Sequence, residues 1–431
     1  MTVIQIILLA LFFCAAILES TGAFRYDRSI IRRFGLARYP DGYNLDDVSA
    51  PFGNAFGKSQ ISRVLNLMPE FGSNGLGDKL VCLQAIWRHG QRSPVGTFKG
   101  DLYPESYWRK GYGELTEKGL EQHYQLGKWI KARYIDELKF LPIKYDPATV
   151  NVRCSVVPRT IESAAENFRA LYEHDPDFKQ PKVHTFKNED CVHLPFRCCL
   201  KARAEIVKCG NGEPMKEYRK KYETVLQKMV AATGQKFATF VDALFLTDPF
   251  TTLKHHGLKL PKEFEDIYDE IDMAHRDSLK NLYGYIGHTD ESRLVIRKAM
   301  ASGLLEQIVK NIDDKISEKP HARDIKYYVF SAHDTVVLAL LATFEFDRLD
   351  YNQDFNVSLG ASVFIELWEK PDGEHYIKVL YRRNSEEIYD ITGDIKDCEQ
   401  YKDGIPLEFF KQRWKKFMQP HGPQCRQNQG G

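Results

Sequence analysis

From Leu80 to Trp87 the chain runs apolar almost without interruption, through Val81-Cys82-Leu83-Gln84-Ala85-Ile86. Such a run, lacking polar alternation, is the pattern of a strand buried on both faces. Leu115-Thr116-Glu117 then opens a helix that sets Leu120, Tyr124, Gly127, Ile130 and Tyr134 on one face, with Thr116 as its N-cap. Thr149 to Val157 predicts a second strand, running into Pro158-Arg159-Thr160. Behind it, Ile161, Ala164, Ala165, Phe168, Leu171 and Tyr172 follow at helical spacing. Tyr327 to Phe330 reads as a strand, Ser331-Ala332-His333-Asp334-Thr335 as a turn, and Val336 to Thr343 as an apolar helix. Two further strands, Ala361–Trp368 and His375–Tyr381, are joined by the turn Pro371-Asp372-Gly373.

The middle of the chain has a different texture. Amphipathic helices are expected over Met215–Ala232, Glu263–Leu282 and Glu291–Ile316, with little strand signal. The pattern as a whole predicts an α/β fold: a mixed, mostly parallel sheet with helices on both faces, plus a mainly helical cap. The α/β catalytic domain is expected in two pieces, 80–190 and 320–425, and the cap as the insert 191–319. Residues 24–79 carry a basic cluster (Arg28, Arg32, Arg33) and scattered glycines, with one short helical piece at Ile61–Met68. They read as an extension or propeptide. Ile4 to Leu18 is an apolar run of signal-peptide length, and Ser20-Thr21-Gly22-Ala23 supplies small residues for cleavage. Residues 1–23 are therefore expected to be a signal peptide, and the product to be secreted or lysosomal with no membrane anchor.

Composition narrows this picture only a little. The 431 residues are 43% hydrophobic and 28% charged, and the formal net charge is +1. That balance gives no reason to expect nucleic acid or an anionic membrane as partner, so any preference for anions must be local. Loss of the leader would leave eight cysteines, at 82, 154, 191, 198, 199, 209, 398 and 425. An even number suits an oxidising compartment, but spacing alone cannot choose the pairs. Cys82, inside an apolar strand, reads as a buried thiol as readily as a bridge. Asn356-Val357-Ser358 is a candidate glycosylation site at Asn356.

The local chemistry lies where strands meet helices. Arg88-His89-Gly90-Gln91-Arg92-Ser93-Pro94 sets two guanidiniums and an imidazole within five residues of one turn. Like charges so close are unfavourable unless an anion gathers them, and a phosphate matches guanidinium forks well. Arg159 and the His333-Asp334 pair stand at two more strand ends. Ligands of open parallel sheets bind beyond those ends, so the three junctions are expected to share one crevice. His89, kept neutral among arginines, is the candidate nucleophile. Arg88, Arg92, Arg159 and His333 are the candidate phosphate ligands, and Asp334 is the acid that protonates the leaving oxygen. An acid donor must hold its proton, which favours turnover at mildly acidic pH. The set needs no metal or other cofactor.

Other chemistries fit less well. Cys82 and Arg88 have the bare spacing of a cysteine phosphatase, but an apolar strand fills the gap where a glycine-rich loop is needed. Cys154 and Arg159 are one residue too close. His255-His256 has no carboxylate company and reads as a solvated surface pair, His123 as a packed histidine, and Cys198-Cys199 as disulfide-related. The expected substrate is a small phosphomonoester or a phosphoprotein. Alternatives are a silent secreted binder of phosphorylated ligands and an inositol polyphosphate phosphatase on the same scaffold.

Arg-His-Gly-x-Arg-x-Pro at 88–94, the arginine at 159 and Ser-Ala-His-Asp-Thr at 331–335 resemble the histidine acid phosphatase family, the branch containing the prostatic and lysosomal enzymes. The likeness runs from about Leu80 to Cys425 and includes Glu121-Gln-His-Tyr124 and Leu194-Pro-Phe-Arg197. It implies a phosphoglycerate mutase-like α/β domain with a helical cap and a phosphohistidine on His89. It also implies Asp334 as proton donor, phosphate held by Arg88, Arg92, Arg159 and His333, and a Cys199–Cys425 bridge. Gln91 stands where the acid phosphatase signature commonly has Asp, and Val156 and Pro158 stand where acidic residues are frequent. A dimer is an open option.

Overall fold

The computed structural model describes residues 77–185, 192, 207–208, 212–346 and 357–418. The expected leader, nearly all of the extension, Leu194–Arg197, Cys199, Cys425 and Asn356 lie outside these residues. The strands are β1 (Lys79–Arg88), β2 (Val150–Cys154), β3 (Val183–His184), β4 (Tyr327–Ala332), β5 (Ser362–Glu369), β6 (His375–Arg382), β7 (Ile388–Asp390) and β8 (Ile405–Pro406). The helices are α1 (Glu117–Ile130), α2 (Pro158–Leu171), α3 (Glu213–Lys221), α4 (Glu223–Thr233), α5 (Phe240–His255), α6 (Lys262–Glu265), α7 (Tyr268–Leu282), α8 (Asp290–Ile316), α9 (Asp334–Phe344) and α10 (Leu407–Lys415).

One sheet carries the strands in the order β3-β2-β4-β1-β5-β6-β7, with β8 paired to β6. From β3 to β1 the pairing is parallel, and from β1 through β5 to β7 it is antiparallel. The sheet is therefore mixed, with its parallel half at the junctions singled out by sequence. β1 sits in the centre, which explains its continuous apolar run: both of its faces are covered. On one face α1 and α2 pack through Trp129 against Phe364 (ring centroids 4.9 Å) and Phe168 against Tyr327 (6.0 Å). On the other, Gln84 donates to the Ile308 carbonyl of α8 at 3.0 Å and accepts from Asn311 at 2.9 Å. These two bonds satisfy the one polar side chain in the β1 run, and they fix α8 on the sheet.

Two helical expectations change in detail, and one helix is unexpected. Met215–Ala232 is two helices, α3 and α4, meeting at Tyr222. Glu263–Leu282 divides into α6 and α7. Between them lies α5, which no periodic pattern announces. Its apolar residues spread around the helix, and Pro249 sits in its middle, where proline normally signals a break.

A buried polar knot ties α1 to the sheet. After Ile130 the helix widens into a π-helical turn over Lys131–Glu137, and that turn brings Arg133 and Tyr134 to Glu366 on β5. Arg133 reaches Glu366 with Nε at 3.0 Å and Nη2 at 2.8 Å, the Tyr134 hydroxyl donates at 2.8 Å, and the Trp368 indole donates to the other oxygen at 3.0 Å. Glu366 and Arg133 are both buried. Removing the carboxylate takes its buried ion pair from Arg133, and breaking such a pair costs about 3–5 kcal/mol. Glu366→Ala is thus expected to shift the urea midpoint by that stability, while inorganic phosphate binds any remaining folded protein with native affinity.

Candidate active site

β2, β4 and β1 are adjacent and parallel, so their carboxyl ends share one edge of the sheet. The pairing continues past the strands. His89 N–H donates to the Ala332 carbonyl at 3.0 Å, and Ser155 N–H to that of Ser331 at 3.2 Å. The Trp87 indole donates to Ser331 Oγ at 2.8 Å, and that hydroxyl donates to the Thr160 carbonyl at 2.6 Å. The three junctions are thereby stitched together, and His89 and His333 stand edge to face with ring centroids 5.5 Å apart. His333 N-caps α9 and is oriented by Ser155 Oγ, 2.9 Å from its Nε2.

The turn rests on the first turn of α1. A Cβ added to Gly90 would lie 2.1 Å from the Gly119 carbonyl oxygen, and one added to Gly119 would lie 2.1 Å from that of Gln91. Only hydrogen fits at either position, so the two backbones touch. Thr116 caps α1 as expected: its Oγ1 accepts from Gly119 N–H and its hydroxyl reaches the Gln91 carbonyl and Oε1. Gln91 N–H donates to Gln122 Oε1 at 2.8 Å, and the Gln91 amide donates to the His255 carbonyl at the end of α5 at 3.2 Å. His123 is fully buried, and its Nε2–H donates to the Arg88 carbonyl at 3.1 Å.

Each cation of the site is held by a different segment. Arg88 pairs with Asp334 at 2.9 Å and also donates to the Val357 carbonyl. Arg92 makes a fork with Asp248 of α5, at 2.6 and 3.3 Å, and Asp248 also accepts from Val95 N–H at 2.8 Å. Arg159 donates to the Gly113 carbonyl at 3.1 Å. Burial and then the Arg92 charge lower its pKa to about 9, so it remains a cation at acidic and neutral pH.

Burial pushes the His89 imidazole well below its ordinary value, and the charges of Arg159, His333, Arg88 and Arg92 push it further. Its Nδ1 lies 2.7 Å from the Gly90 carbonyl. A carbonyl only accepts, so Nδ1 carries the hydrogen and Nε2 presents its lone pair. Asp334 behaves differently from the sequence expectation that it holds its proton. Burial favours the neutral acid, but Arg88, followed by His333 and Arg92, outweighs burial and holds the carboxyl at about 2. In the free site it is a carboxylate at any working pH.

The sequence reading overlooks Asp248, since one carboxylate on an unrecognised apolar helix carries no motif. Its signal is a charge amid Phe245-Leu246-Thr247 and Pro249-Phe250, a setting that demands a partner. The reading of His255-His256 as a solvated surface pair holds for His255, which is exposed, and is corrected for His256. His256 is half-buried, its Nε2 lies 2.8 Å from the Arg92 carbonyl, and its ring meets Trp108 at 4.8 Å. Cys82 is a buried thiol pushed up to about 12, far from the thiolate a cysteine phosphatase needs. Among the described residues no cluster of three or more His, Cys, Asp or Glu is arranged to hold a metal ion.

A methyl on Gly119 must displace the Gln91 backbone. Overpacking of about 1–3 kcal/mol, or roughly a 5- to 150-fold loss, is expected in the affinity of Gly119→Ala for inorganic phosphate by calorimetry. The far-UV circular dichroism of the variant should stay native.

Comparison with known proteins agrees with this geometry. Residues 79–382 match the model of the histidine phosphatase superfamily, branch 2. Prostatic acid phosphatase of Mus musculus is 30% identical over 354 residues, covering 78% of this chain and 86% of the relative. Lysosomal acid phosphatase of Xenopus laevis is 27% identical, covering 70% of this chain and 68% of the relative. Among solved structures, the apo form of Hafnia alvei phytase superposes with a TM-score of 0.58 at 14% identity, over 82% of this chain and 99% of that one; this likeness shows the fold alone. The chain belongs to the histidine phosphatase superfamily, branch 2.

Proposed function

We infer that this protein is an acid phosphatase that hydrolyses phosphate monoesters through a phosphohistidine on His89. The observation that carries the reading is the bare Nε2 of a neutral, buried His89 at the carboxyl edge shared by Arg88, Arg159 and His333. Its acid phosphatase relatives support the same reading. Arg88, Arg92 and Arg159 take the non-bridging oxygens and stabilise the charge of in-line transfer, with His333 as a further donor.

The ionised state of Asp334 shapes the proton route. A phosphate monoester has a second pKa of about 6, so at mildly acidic pH it enters as the monoanion carrying one proton. As the phosphate draws the Arg88 fork to itself, Asp334 loses part of the charge that kept it ionised and takes that proton. His89 Nε2 attacks phosphorus, the P–O bond to the leaving group breaks, and Asp334 returns the proton to the departing oxygen. Asp334 is then a carboxylate again, ready to accept a proton from the water that attacks the phosphohistidine. Asp334 passes that proton to the departing phosphate, which leaves as the monoanion, and the carboxylate and the His89 lone pair are both restored.

The substrate is a small phosphomonoester or a phosphoprotein. Among the described residues, the cap brings Asp248, His255 and His256 to the catalytic turn, and none of these three is the lysine or arginine that an inositol polyphosphate would call for. The secretory or lysosomal route is supported by the apolar N-terminal segment, by lysosomal relatives, and by the lack of a described helix long and apolar enough to cross a membrane. The Cys199–Cys425 bridge, glycosylation at Asn356 and a dimer belong to the same proposal.

Rapid quenching of a radiolabelled monoester turnover at pH 5 should trap an acid-labile, base-stable phosphoenzyme in the native protein and none in His89→Ala. Phosphate binding without turnover by the native protein would favour a silent binder. In Asp334→Asn, kcat is expected to fall about 10²–10⁴-fold for alkyl esters and much less for esters with acidic leaving groups.

The pH profile of kcat/KM separates the two proton sources. Activity is lost as pH falls through the pKa of His89, which lies well below its ordinary value; the acid limb should therefore lie well below the ordinary imidazole range. Arg159→Ala removes a charge that depresses that pKa, so the acid limb of its residual activity should move up. The alkaline limb should track the second pKa of whichever monoester is supplied; a limb that ignores the substrate would exclude delivery of the proton by the monoanion.

A further inference from the structure

Arg382 closes β6 at the edge of the sheet where Arg88 closes β1, because both strands run antiparallel to β5. The pairing sets Trp87, Ser362 and Arg382 in one row across three strands, and side chains directly opposite one another share a face. That face is the one under α1, since His123 meets Trp87 with ring centroids 5.8 Å apart. Arg88, next along β1, points to the other face. Arg382 therefore lies outside the phosphate clamp.

Its situation differs from that of the other buried arginines. Arg88 has Asp334, Arg133 has Glu366, and Arg297 and Arg413 share Glu345. Arg382 is only 4% exposed, its Nε has no acceptor, and no carboxylate stands against it among the described residues. Burial lowers it only to about 10, so it stays a cation. Its charge is felt by His123, which is held neutral at about 3, chiefly by burial. His123 Nδ1 in turn has no partner among the described residues. An uncompensated buried ion costs several kcal/mol. A water could satisfy both side chains, accepting from Arg382 and donating to His123 Nδ1, yet it would leave the charge standing.

We propose that Arg382 is the anchor of a buried binding site for a small monovalent anion, of halide type, between β6 and α1 and behind the catalytic turn. One cation balances one negative charge, which fits a halide better than a phosphate dianion. The His123 bond to the Arg88 carbonyl connects this site to the backbone that carries His89.

Two measurements on the full chain test the site. Crystals soaked in bromide should show an anomalous peak within hydrogen-bonding reach of the Arg382 guanidinium. Replacing gluconate by chloride at constant ionic strength should raise Tm by about 2 °C or more, and Arg382→Met should remove that dependence. In gluconate the variant should be at least as stable as the native protein, since an apolar side chain replaces an unpaired charge. A chloride effect that persists in Arg382→Met belongs to the phosphate clamp and overturns the assignment. So does an ordered water bridging Arg382 and His123 with no bromide peak. If Arg382→Met fails to fold, the anomalous map of the native protein decides by itself.

Discussion

Three guanidiniums crowd one imidazole at the sheet edge, and their mutual repulsion in a water-poor crevice governs how the rest is built. Asp334 balances Arg88 and Asp248 balances Arg92, while Arg159 has a backbone carbonyl. These partners come from the β4–α9 junction, the cap helix α5 and the loop before α1. No single segment can carry its own share of the site stably, because each brings a charge whose complement lies elsewhere in the chain. The cations become tolerable only once sheet, cap and loop are together. The cap is thus part of the electrostatic balance of the site as well as a cover for it.

The same dependence explains why the turn is so tightly seated. Gly90 and Gly119 bring two backbones into contact, and Gln91 uses every polar group it has to face outward from that contact: to α1 through Thr116 and Gln122, and to α5 through the His255 carbonyl. A carboxylate at position 91 has no hydrogen to give that carbonyl. The Gln91 amide therefore joins turn and cap directly.

Much of this was legible in the sequence, and what was not has physical reasons. The β1 run, the Thr116 cap and the helix behind Arg159 follow local rules of periodicity and capping, so they could be read residue by residue. Convergence of Arg88, Arg159 and His333-Asp334 followed from topology, because parallel neighbours must end on the same edge. Asp248 could not be read, since its meaning depends on Arg92, 156 residues away, and Pro249 disguises its helix. The ionised state of Asp334 was missed for a similar reason. Sequence places a carboxyl beside an imidazole, while only three-dimensional packing puts Arg88 Nη2 against it.

The two site carboxylates have a kinetic meaning as well. Asp334 and Asp248 already occupy the guanidiniums that the proposed mechanism assigns to phosphate, so under it they act as resident competitors for the clamp. Substrate binding is an exchange of one anion for another, and its affinity is a difference between two large attractions. After turnover the carboxylates stand ready to recapture their arginines as inorganic phosphate departs. A clamp of three unopposed guanidiniums would grip its own product; this one contains the means of letting go.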